Sequence, residues 1–378
     1  MAHQTDPLKL GLIGCGGVAE RAHLPALRHL PDAEIIALSD INAGRLTRLA
    51  ERFHIKNCYA DFRELLSDPA IEAVAVCVPP QFHSQVALAV VDAGKHLFIE
   101  KPLALNLIES DRLIERAARS PVKIMVGFNL RWHRLVQQAR AIIRQETFGP
   151  IELVRTVLTS NTRYHRNPPE WRKRRETGGG EFFETAVHHF DLWRFLLQTE
   201  IDEVFATSRS EHWDDETAVV IARLANGVVA VSAFSTGTAG SNDVEIFGRG
   251  GRLSLSLMRF DGLEFIQGTS LPGKMRTRLR TVIDILTDLP RALFELRLGG
   301  DFVASYRVGW KHFVDCIRQD RPPQCTLEDG RSALQAALAA AESASTGKSV
   351  PLSPATGSEM CSRAARSSTL TNNSSRAS

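Results

Sequence analysis

The stretch from Leu8 to Ala19, LKLGLIGCGGVA, decides the fold of this chain. A short apolar run leads into six residues that fit the pattern G-x-G-x-x-G/A, namely Gly14, Cys15, Gly16, Gly17, Val18 and Ala19. The first glycine allows a tight turn, the second lets backbone N–H groups approach a pyrophosphate, and the small last residue lets the helix pack closely on the strand. Because a helix N-terminus attracts phosphate charge, the stretch predicts a strand, a dinucleotide-binding loop and a helix.

An acidic residue at the end of the next apolar run indicates which dinucleotide is bound. Asp40 closes the run at 33–40 and lies 21 residues after Ala19. A carboxylate at this place bonds both ribose hydroxyls of NAD and repels the 2′-phosphate of NADP. Glycine turns and strand-end aspartates also occur without a ligand, but their order here favours a cofactor site. We therefore expect NAD as the cofactor, with NADP disfavoured.

Length and composition limit the class of protein. The chain has 378 residues, which predicts two domains, and it is 43% hydrophobic and 24% charged, as folded proteins are. A net charge of +3 argues against a nucleic-acid binder, and no apolar run approaches the roughly 18 residues of a membrane span. The six cysteines form no C-x-x-C pair, and the first residues lack a secretion signal. We expect a cytoplasmic protein with reduced thiols and no metal, nucleic acid or membrane insertion.

Apolar runs alternate with helical patterns in the first third of the chain and then change character. The early runs lie at 8–14, 33–40, 71–78, 96–99 and 122–126. Runs separated by helices predict a parallel sheet that is covered on both faces. After a helix expected at about 135–146, longer alternating runs follow at 151–159, 204–208, 217–224, 228–234 and 243–247. With Asn226-Gly227 as a hairpin signal, they predict an antiparallel sheet, so the fold class is α/β with a second, α+β domain.

Two later segments differ from the rest. Residues 268–300 carry apolar side chains at helical spacing, broken at Pro290, after the basic residues Lys274, Arg276, Arg278 and Arg280. An additional helical hairpin packed on the second domain is the favoured interpretation, and a membrane-surface or lid role is the alternative. The end, 353–378, is rich in Ser, Thr, Asn and Ala, which predicts disorder. We therefore expect domains at 1–126 and 127–352, followed by a tail.

Lys101 is the first candidate for chemistry. It follows the fourth apolar run, and ligands of open parallel sheets bind beyond the carboxyl ends of the strands. The chain has only nine lysines against 37 arginines, so a lysine at this place is a candidate for function. Its ammonium can hold an alcohol or carbonyl oxygen. An exposed loop lysine is the alternative interpretation.

The second candidate is the helix that follows three consecutive glycines at 178–180. Glu184, His188 and Asp191 are spaced i, i+4 and i+7, so they share one face of a regular helix. A carboxylate beside an imidazole fixes its tautomer and raises its pKa, which suits a general base near neutral pH. A solvated polar stripe on an amphipathic helix is the alternative.

Several further motifs occur in a specific order from about residue 8 to residue 352. They are the glycine loop with Asp40, Val78-Pro79-Pro80-Gln81-Phe82-His83, Ala93-Gly94-Lys95-His96, Glu100-Lys101-Pro102, Gly127-Phe128-Asn129-Leu130-Arg131, Trp171-Arg172, the stretch 178–191, Trp310-Lys311-His312-Phe313 and Thr326-Leu327-Glu328-Asp329-Gly330. Together they resemble the glucose–fructose oxidoreductase / inositol dehydrogenase / MocA (Gfo/Idh/MocA) family. The resemblance implies an N-terminal Rossmann domain. It also implies a C-terminal domain whose large, open, mainly antiparallel sheet often forms the interface of a homodimer or homotetramer.

The resemblance also implies which residues form the site. Expected cofactor contacts, besides the glycine loop and Asp40, are Val78, Pro79, Pro80, His83, Glu100 and Lys101. Lys101 and His188 are expected beside the nicotinamide and the substrate, with Asn129, Arg131, Trp171, Arg172 and Glu184 as further substrate contacts. Glu184 stands where most members carry Asp. This departure from the family pattern concerns the expected carboxylate partner of His188. The Lys101–Pro102 peptide is expected to be cis, as in relatives.

The implied activity is hydride transfer between NAD and a secondary alcohol or ketone of a sugar, sugar derivative or cyclitol. His188 is the expected acid/base, and Lys101 is expected to stabilise the developing alkoxide. Two alternatives remain open within the resemblance. One is an NAD-dependent glycoside hydrolase or epimerase-like enzyme that works through a transient keto sugar. The other is a non-catalytic NAD-binding regulator.

A densely basic stretch at 163–175, RYHRNPPEWRKRR, precedes the glycines. It could recognise a phosphate or carboxylate on the substrate, but a solvated or inter-subunit loop is the favoured interpretation. His23, His83 and His96 are expected to be packing or loop residues, with His83 near the cofactor cleft. Gly347-Lys348-Ser349 lacks the upstream glycine of a phosphate-binding P-loop.

Overall fold

The computed structural model describes residues 6–162, 168–268 and 275–352, and the first of its two sheets is formed by the N-terminal part of the chain. Its strands are β1 Leu8–Ile13, β2 Ala33–Ser39, β3 Asn57–Tyr59, β4 Ala73–Val76, β5 His96–Ile99 and β6 Ile124–Val126. The helices between them are α1 Leu24–Arg28, α2 Ala43–Phe53, α3 Phe62–Ser67, α4 His83–Asp92 and α5 Leu107–Ala117. The strand order is β3-β2-β1-β4-β5-β6, and every pair is parallel.

This first sheet confirms the predicted parallel arrangement. All four residues of β4 are buried, as expected for a parallel strand that is covered on both faces. β3 was not among the predicted runs, because Asn57 and Cys58 are exposed and no apolar run marks it. Helices α2, α3 and α5 are capped at their N-termini by Asn42, Asp61 and Asn106. Each capping side chain accepts a hydrogen bond from a backbone N–H of the first turn.

The second sheet has eight strands and is mainly antiparallel. Its strands are β7 Ile151–Thr159, β8 Ile201–Arg209, β9 Thr217–Leu224, β10 Val229–Ser235, β11 Ser241–Gly248, β12 Gly251–Ser256, β13 Leu263–Gln267 and β14 Val350–Pro351. Their order is β13-β12-β11-β7-β10-β9-β8-β14. The later helices are α6 Arg134–Ile143, α7 Val187–Leu197, α8 Met275–Arg297, α9 Gly300–Arg318 and α10 Leu327–Thr346. Helices α6, α7 and α10 pack with one face of the sheet in a common core.

The predicted antiparallel pairing is wrong for one pair of strands. β7 and β10 lie side by side in parallel, with Val154 opposite Ala230. The alternation of buried and exposed residues tells which face of a sheet a side chain occupies, but it does not set the direction of the neighbouring strand. Strands β12 and β13 were also not predicted.

The outer face of the second sheet is open and partly apolar. Along β9, buried side chains alternate with exposed ones. The exposed set on this face includes large apolar side chains that are 38–46% exposed, namely Leu153, Phe205, Val219, Ile221 and Val229. The sheet therefore has one face covered by helices and one that is available for contact.

Helices α8 and α9 form a helical pair that follows the strands β7–β13 in the chain. The predicted break at Pro290 is wrong, because α8 continues through this residue. A proline removes one N–H donor, but it bends a helix rather than ending it when the turns on both sides remain. Ion pairs from Asp288 to Arg134 (2.8 Å) and from Glu295 to Arg307 (2.8 Å) attach α8 to the rest of the fold. Residues 269–274, with Lys274, and the tail at 353–378 lie outside the described residues.

Helix α9 belongs to the core of the first sheet although it comes late in the sequence. Trp310 is fully buried, and its Nε1 donates to Nδ1 of His23 at 3.1 Å. The same indole stacks on Phe98 of β5, with 4.3 Å between ring centroids. The first core therefore contains side chains from both halves of the chain. Within the three described ranges, no helix has the length and apolar character needed to cross a bilayer.

Candidate active site

The glycine loop after β1 leaves room for a ligand at one residue only. Gly14 has φ +98°, and a Cβ at this place would lie 2.6 Å from the backbone of Cys77. Gly16 differs, because a Cβ there would meet no atom within 4 Å. Open space over a backbone that leads into the helical turn Ala19–His23 is what a pyrophosphate requires. The loop therefore fits the phosphates of NAD.

Asp40 lies at the carboxyl end of β2 and connects the glycine loop to the following turn. Its Oδ2 accepts a hydrogen bond from the backbone N–H of Cys15 at 2.8 Å, and its Oδ1 accepts one from that of Asn42 at 2.7 Å. Arg45 approaches the same Oδ1 at 3.2 Å. The carboxylate thus stands next to the loop, where a ribose would follow the phosphates.

Two predicted cofactor residues hold the strand-end loops rather than presenting free polar atoms. His83 lies between the carbonyl oxygens of Pro102 (2.7 Å from Nδ1) and Val78 (2.9 Å from Nε2). Glu100 is buried, with its Oε1 2.9 Å from Nε2 of His23 and its Oε2 accepting the N–H of Lys101 at 3.2 Å. Both side chains fix the loops after β4 and β5, and their contact with the cofactor stays a prediction.

The glycines at 178–180 bring the second domain against these loops. Gly178 has φ +83°, and a Cβ there would lie 2.4 Å from the ring of Pro80. A Cβ on Gly179 would lie 2.3 Å from the carbonyl oxygen of Trp171. Such close approach explains why side chains are missing at both positions. Val78 and Pro79 are half-buried at the same junction.

Lys101 reaches from the first domain to the second. Its Nζ donates a hydrogen bond to the backbone carbonyl oxygen of Glu184 at 2.6 Å, in the helical turn Phe182–Ala186 that leads into α7. The Lys101–Pro102 peptide is cis. The ammonium is thereby held within electrostatic reach of His188, which lies four residues after Glu184 in the chain.

His188 presents an unoccupied ring. Among the described residues none forms a hydrogen bond with it, and its Nδ1 is buried without a partner. Burial lowers the pKa of His188 well below its usual value, and the charge of Lys101 lowers it further. The ring is therefore neutral, and able to accept a proton, at neutral pH.

The predicted partnership of Glu184 and His188 is absent from this structure, and the expected rise of the imidazole pKa is wrong. The Glu184 carboxylate forms an ion pair with Arg172 instead. Side chains at positions i and i+4 are neighbours on one face only in a regular α-helix. Glu184 lies in a π-helical turn, Phe182–Ala186, and His188 in the α-helix that follows, so the two side chains lose that alignment.

Arg131, an expected substrate contact, forms a buried ion pair with Asp191 instead. Nε of Arg131 is 2.8 Å from Oδ2 of Asp191, and its Nη1 bonds Asp329 at 3.0 Å and the carbonyl of Gln324 at 2.9 Å. Arg131 is only 4% exposed. Asn129 is also engaged, since its Nδ2 donates to Ser305 at 3.2 Å. These contacts give Arg131 and Asn129 a structural role behind the site, and their contact with substrate stays a prediction.

The described part of the basic stretch is neutralised by carboxylates. Lys173 pairs with Glu170 (2.5 Å), Arg174 with Asp214 (3.5 Å) and Arg175 with Asp215 (2.6 Å). Arg172 pairs with Glu184, and Trp171 beside it is half-buried. Residues 163–167 lie outside the described ranges. The pairing leaves little charge for an anionic substrate and favours the interpretation as a structural loop.

Sequence reasoning missed one buried carboxyl group, Glu181. It is 1% exposed, one oxygen accepts the hydroxyl of Thr185, and the other is buried without a partner. Burial, aided by the nearby charge of Glu184, raises the pKa of Glu181 to about 8. An acid placed between three glycines and two phenylalanines was the available signal, because such a position is buried.

One group of side chains has the spacing of metal ligands. Potential ligand atoms of Glu211, His212 and Glu216 lie within 4.8 Å of one another. We assign no ion to this group, because Glu211 and His212 are exposed and the buried Glu216 is engaged by Arg209 (3.4 Å) and by the backbone N–H of His212 (3.1 Å).

The class of protein follows from the two sheets, the glycine loop and comparison with known families. Residues 8–128 match the model of an oxidoreductase family with an NAD-binding Rossmann fold, and residues 136–254 match a Gfo/Idh/MocA C-terminal domain. The chain belongs to the Gfo/Idh/MocA family of NAD-dependent oxidoreductases. The family, the fold class, the NAD cofactor and the dehydrogenase class predicted from the sequence are thereby confirmed.

Individual relatives are similar over nearly the whole chain. Myo-inositol 2-dehydrogenase of Thermotoga maritima is 30% identical, over 91% of this chain and 98% of that protein. The scyllo-inositol 2-dehydrogenase (NAD(+)) of Bacillus subtilis is 26% identical, over 93% and 97%. The structure of levoglucosan dehydrogenase in complex with NADH and levoglucosan superimposes with a TM-score of 0.78 at 21% identity, covering 92% of this chain and all of that one, which shows the same fold.

Proposed function

We propose that this protein oxidises a secondary alcohol of a sugar or cyclitol, with His188 as the general base and Lys101 holding the reacting oxygen. The observation that carries the proposal is the bond from Nζ of Lys101 to the carbonyl oxygen of Glu184. It holds an ammonium close to an imidazole that has no hydrogen-bond partner in the described part of the chain. The carboxyl ends of the first sheet, where the glycine loop opens, supply one of these groups and the second domain supplies the other.

The side chains present fit the two tasks of such a reaction. Neutral His188 can take the hydroxyl proton, because burial and the Lys101 charge keep its pKa low. Lys101 can stabilise the alkoxide oxygen that develops as the proton leaves. Bound NAD+ supplies the acceptor for the hydrogen of the same carbon. In the opposite direction the same two groups serve the reduction of a ketone.

The substrate class rests on relatives and on charge. The three relatives described above act, by name, on inositols and levoglucosan, which are neutral ring polyols, whereas another solved neighbour binds UDP-GlcNAcA. Among the described residues near the site, Arg172 is neutralised by its ion pair with Glu184. A neutral ring polyol therefore fits better than a uronate or nucleotide sugar.

Two alternatives are separated by simple measurements. A hydrolase or epimerase-like enzyme would give product without net NADH. A regulator would bind NAD without turning over any polyol, and an ammonium held near a neutral imidazole argues against it. An NAD+ reduction screen over cyclitols, hexoses, uronates and nucleotide sugars distinguishes all three.

The test of the mechanism is Lys101→Met, with Lys56→Met at an exposed position as the control. We expect the Lys101 variant to bind NADH like the unmodified protein and to lose about 10²- to 10³-fold in turnover, because one stabilising charge is lost. Near-normal turnover in the Lys101 variant would refute the assignment. The control should match the unmodified enzyme in both measurements.

We further propose that the open face of the second sheet pairs with a second copy of the chain, giving a homodimer or homotetramer. The exposed apolar side chains on this face, such as Phe205 and Ile221, support it. Ile221→Glu should lower the molecular mass measured by sedimentation, and an unchanged mass would contradict the proposal.

A further inference from the structure

A cavity of about 490 Å³ lies where the C-terminal ends of α6 and α7 meet, and arginines dominate its wall. We call it the arginine groove, because Arg131, Arg140, Arg144 and Arg194 line it with Phe195 and with two carboxylates, Glu200 and Asp329. It is separate from the proposed active site. Arg194 lies six residues beyond His188 on α7, which is about 9 Å along a helix axis.

The charges of the groove are unevenly satisfied. Arg131 is bound by Asp191 and Asp329, and Arg194 is bound by Glu200 at 2.6 Å and by Asp329 at 3.2 Å. Arg140 and Arg144, by contrast, have no carboxylate partner within the described ranges. Four guanidinium groups thus face three carboxylates, and the excess positive charge lies on the α6 side.

Arg140 is held in place and keeps a donor unused. Its Cζ lies 4.0 Å from the centroid of the Phe195 ring, which also has Arg131 at 5.1 Å. Its Nε is buried without a hydrogen-bond partner. Burial and the charges of Arg144 and Arg131 lower the pKa of Arg140. Like charges this close repel one another, and an oxyanion bound in the cavity would relieve that repulsion.

Helix ends explain part of the cluster but not all of it. Both α6 and α7 end at the groove, and the partial negative charge of each C-terminus attracts cations. That effect accounts for positive side chains in the last turns. It does not supply a carboxylate partner for Arg140 or Arg144 among the described residues.

We propose that the arginine groove binds a small multivalent oxyanion of the phosphate or polycarboxylate type, at a site distinct from those for NAD and the alcohol. Planar guanidinium groups pair with such anions through two parallel hydrogen bonds. The stacking on Phe195 fixes the plane of Arg140 before the anion arrives, so less side-chain freedom is lost on binding.

The test is calorimetric titration of inorganic phosphate and of citrate into the NAD-saturated protein at constant ionic strength. Saturating NAD fills the glycine loop, so that it cannot bind the phosphate. The variant Arg140→Gln/Arg144→Gln should bind at least about tenfold more weakly. The control Arg28→Gln/Arg119→Gln removes two exposed charges elsewhere and should change affinity by less than about twofold.

Each outcome decides the proposal. Saturable binding of either anion that only the groove variant loses supports it, and the anion that binds more tightly identifies the class. No saturable binding below about 10 mM, or equal weakening in the control, overturns it. Arg140→Lys/Arg144→Lys keeps the charge without the planar fork, so intermediate affinity is expected even if the Gln variant folds poorly. Because the measurement is binding, it does not depend on the proposed oxidation.

Discussion

Replacing Glu181 by Gln tests the buried carboxyl group beside the active site. In the folded protein its pKa is about 8, against 4.5 for an ordinary glutamate. A group with a raised pKa stabilises the fold at low pH, and that contribution is lost as pH rises from the unfolded to the folded pKa. The two pKa values correspond to about 5 kcal/mol at 1.36 kcal/mol per pH unit, and about 4 kcal/mol of it falls between pH 5 and pH 9.

The amide of Glu181→Gln cannot ionise, and its oxygen can still accept the Thr185 hydroxyl. We therefore expect the unmodified protein to lose about 4 kcal/mol more unfolding free energy than the variant between pH 5 and pH 9. Urea denaturation at a series of pH values measures this difference. Glu115→Gln, at an exposed position, is the control and should follow the unmodified protein. Parallel pH curves for Glu181→Gln and the unmodified protein would show that the carboxyl is not held neutral.

Three other perturbations test the cofactor loop and the base. Gly16→Ala should keep the thermal midpoint but weaken NADH binding about tenfold or more, because its Cβ enters the open space that we assign to phosphate. Gly14→Ala, at φ +98°, should instead lower the thermal midpoint, because backbone strain costs about 1 kcal/mol or more of unfolding free energy. Calorimetric titration of NADH and thermal unfolding distinguish the two variants. Asp40→Ser should raise the ratio of kcat/KM for NADP+ to kcat/KM for NAD+ about 10- to 100-fold. Arg45 lies 3.2 Å from the Asp40 carboxylate and would become free to bind a 2′-phosphate. An unchanged ratio would contradict the role of Asp40. Alcohol oxidation should persist at pH values below about 6.5, the ordinary pKa of an imidazole, because the pKa of His188 is lowered and its ring stays neutral there. A kcat/KM that halves at about pH 6.5 would count against His188 as the base.

The sequence was sufficient for features that depend on local order. The run into Gly14 and Gly16 predicts a strand, a turn and a helix, because few chain geometries satisfy that spacing. Lys101 was located for the same reason, since it directly follows a buried strand. These inferences require only neighbouring residues.

Features that depend on distant partners could not be predicted in the same way. A sequence shows that Arg131 is cationic, but not that Asp191 and Asp329 surround it. The separation of Glu184 from His188 arises from one π-helical turn, which the spacing alone does not reveal. The parallel pairing of β7 with β10 depends on how the whole second sheet is assembled.

The late position of α9 in the chain has a consequence for synthesis and for engineering. Val303, Tyr306, Trp310 and Phe313 complete the interior around β1 and β5, so the cofactor-binding half stays unfinished until the ribosome has made nearly the whole polypeptide. A gene fragment ending at Val126 would leave that apolar surface bare. Chimaeras that exchange cofactor halves between relatives should therefore carry α9 along with the N-terminal strands.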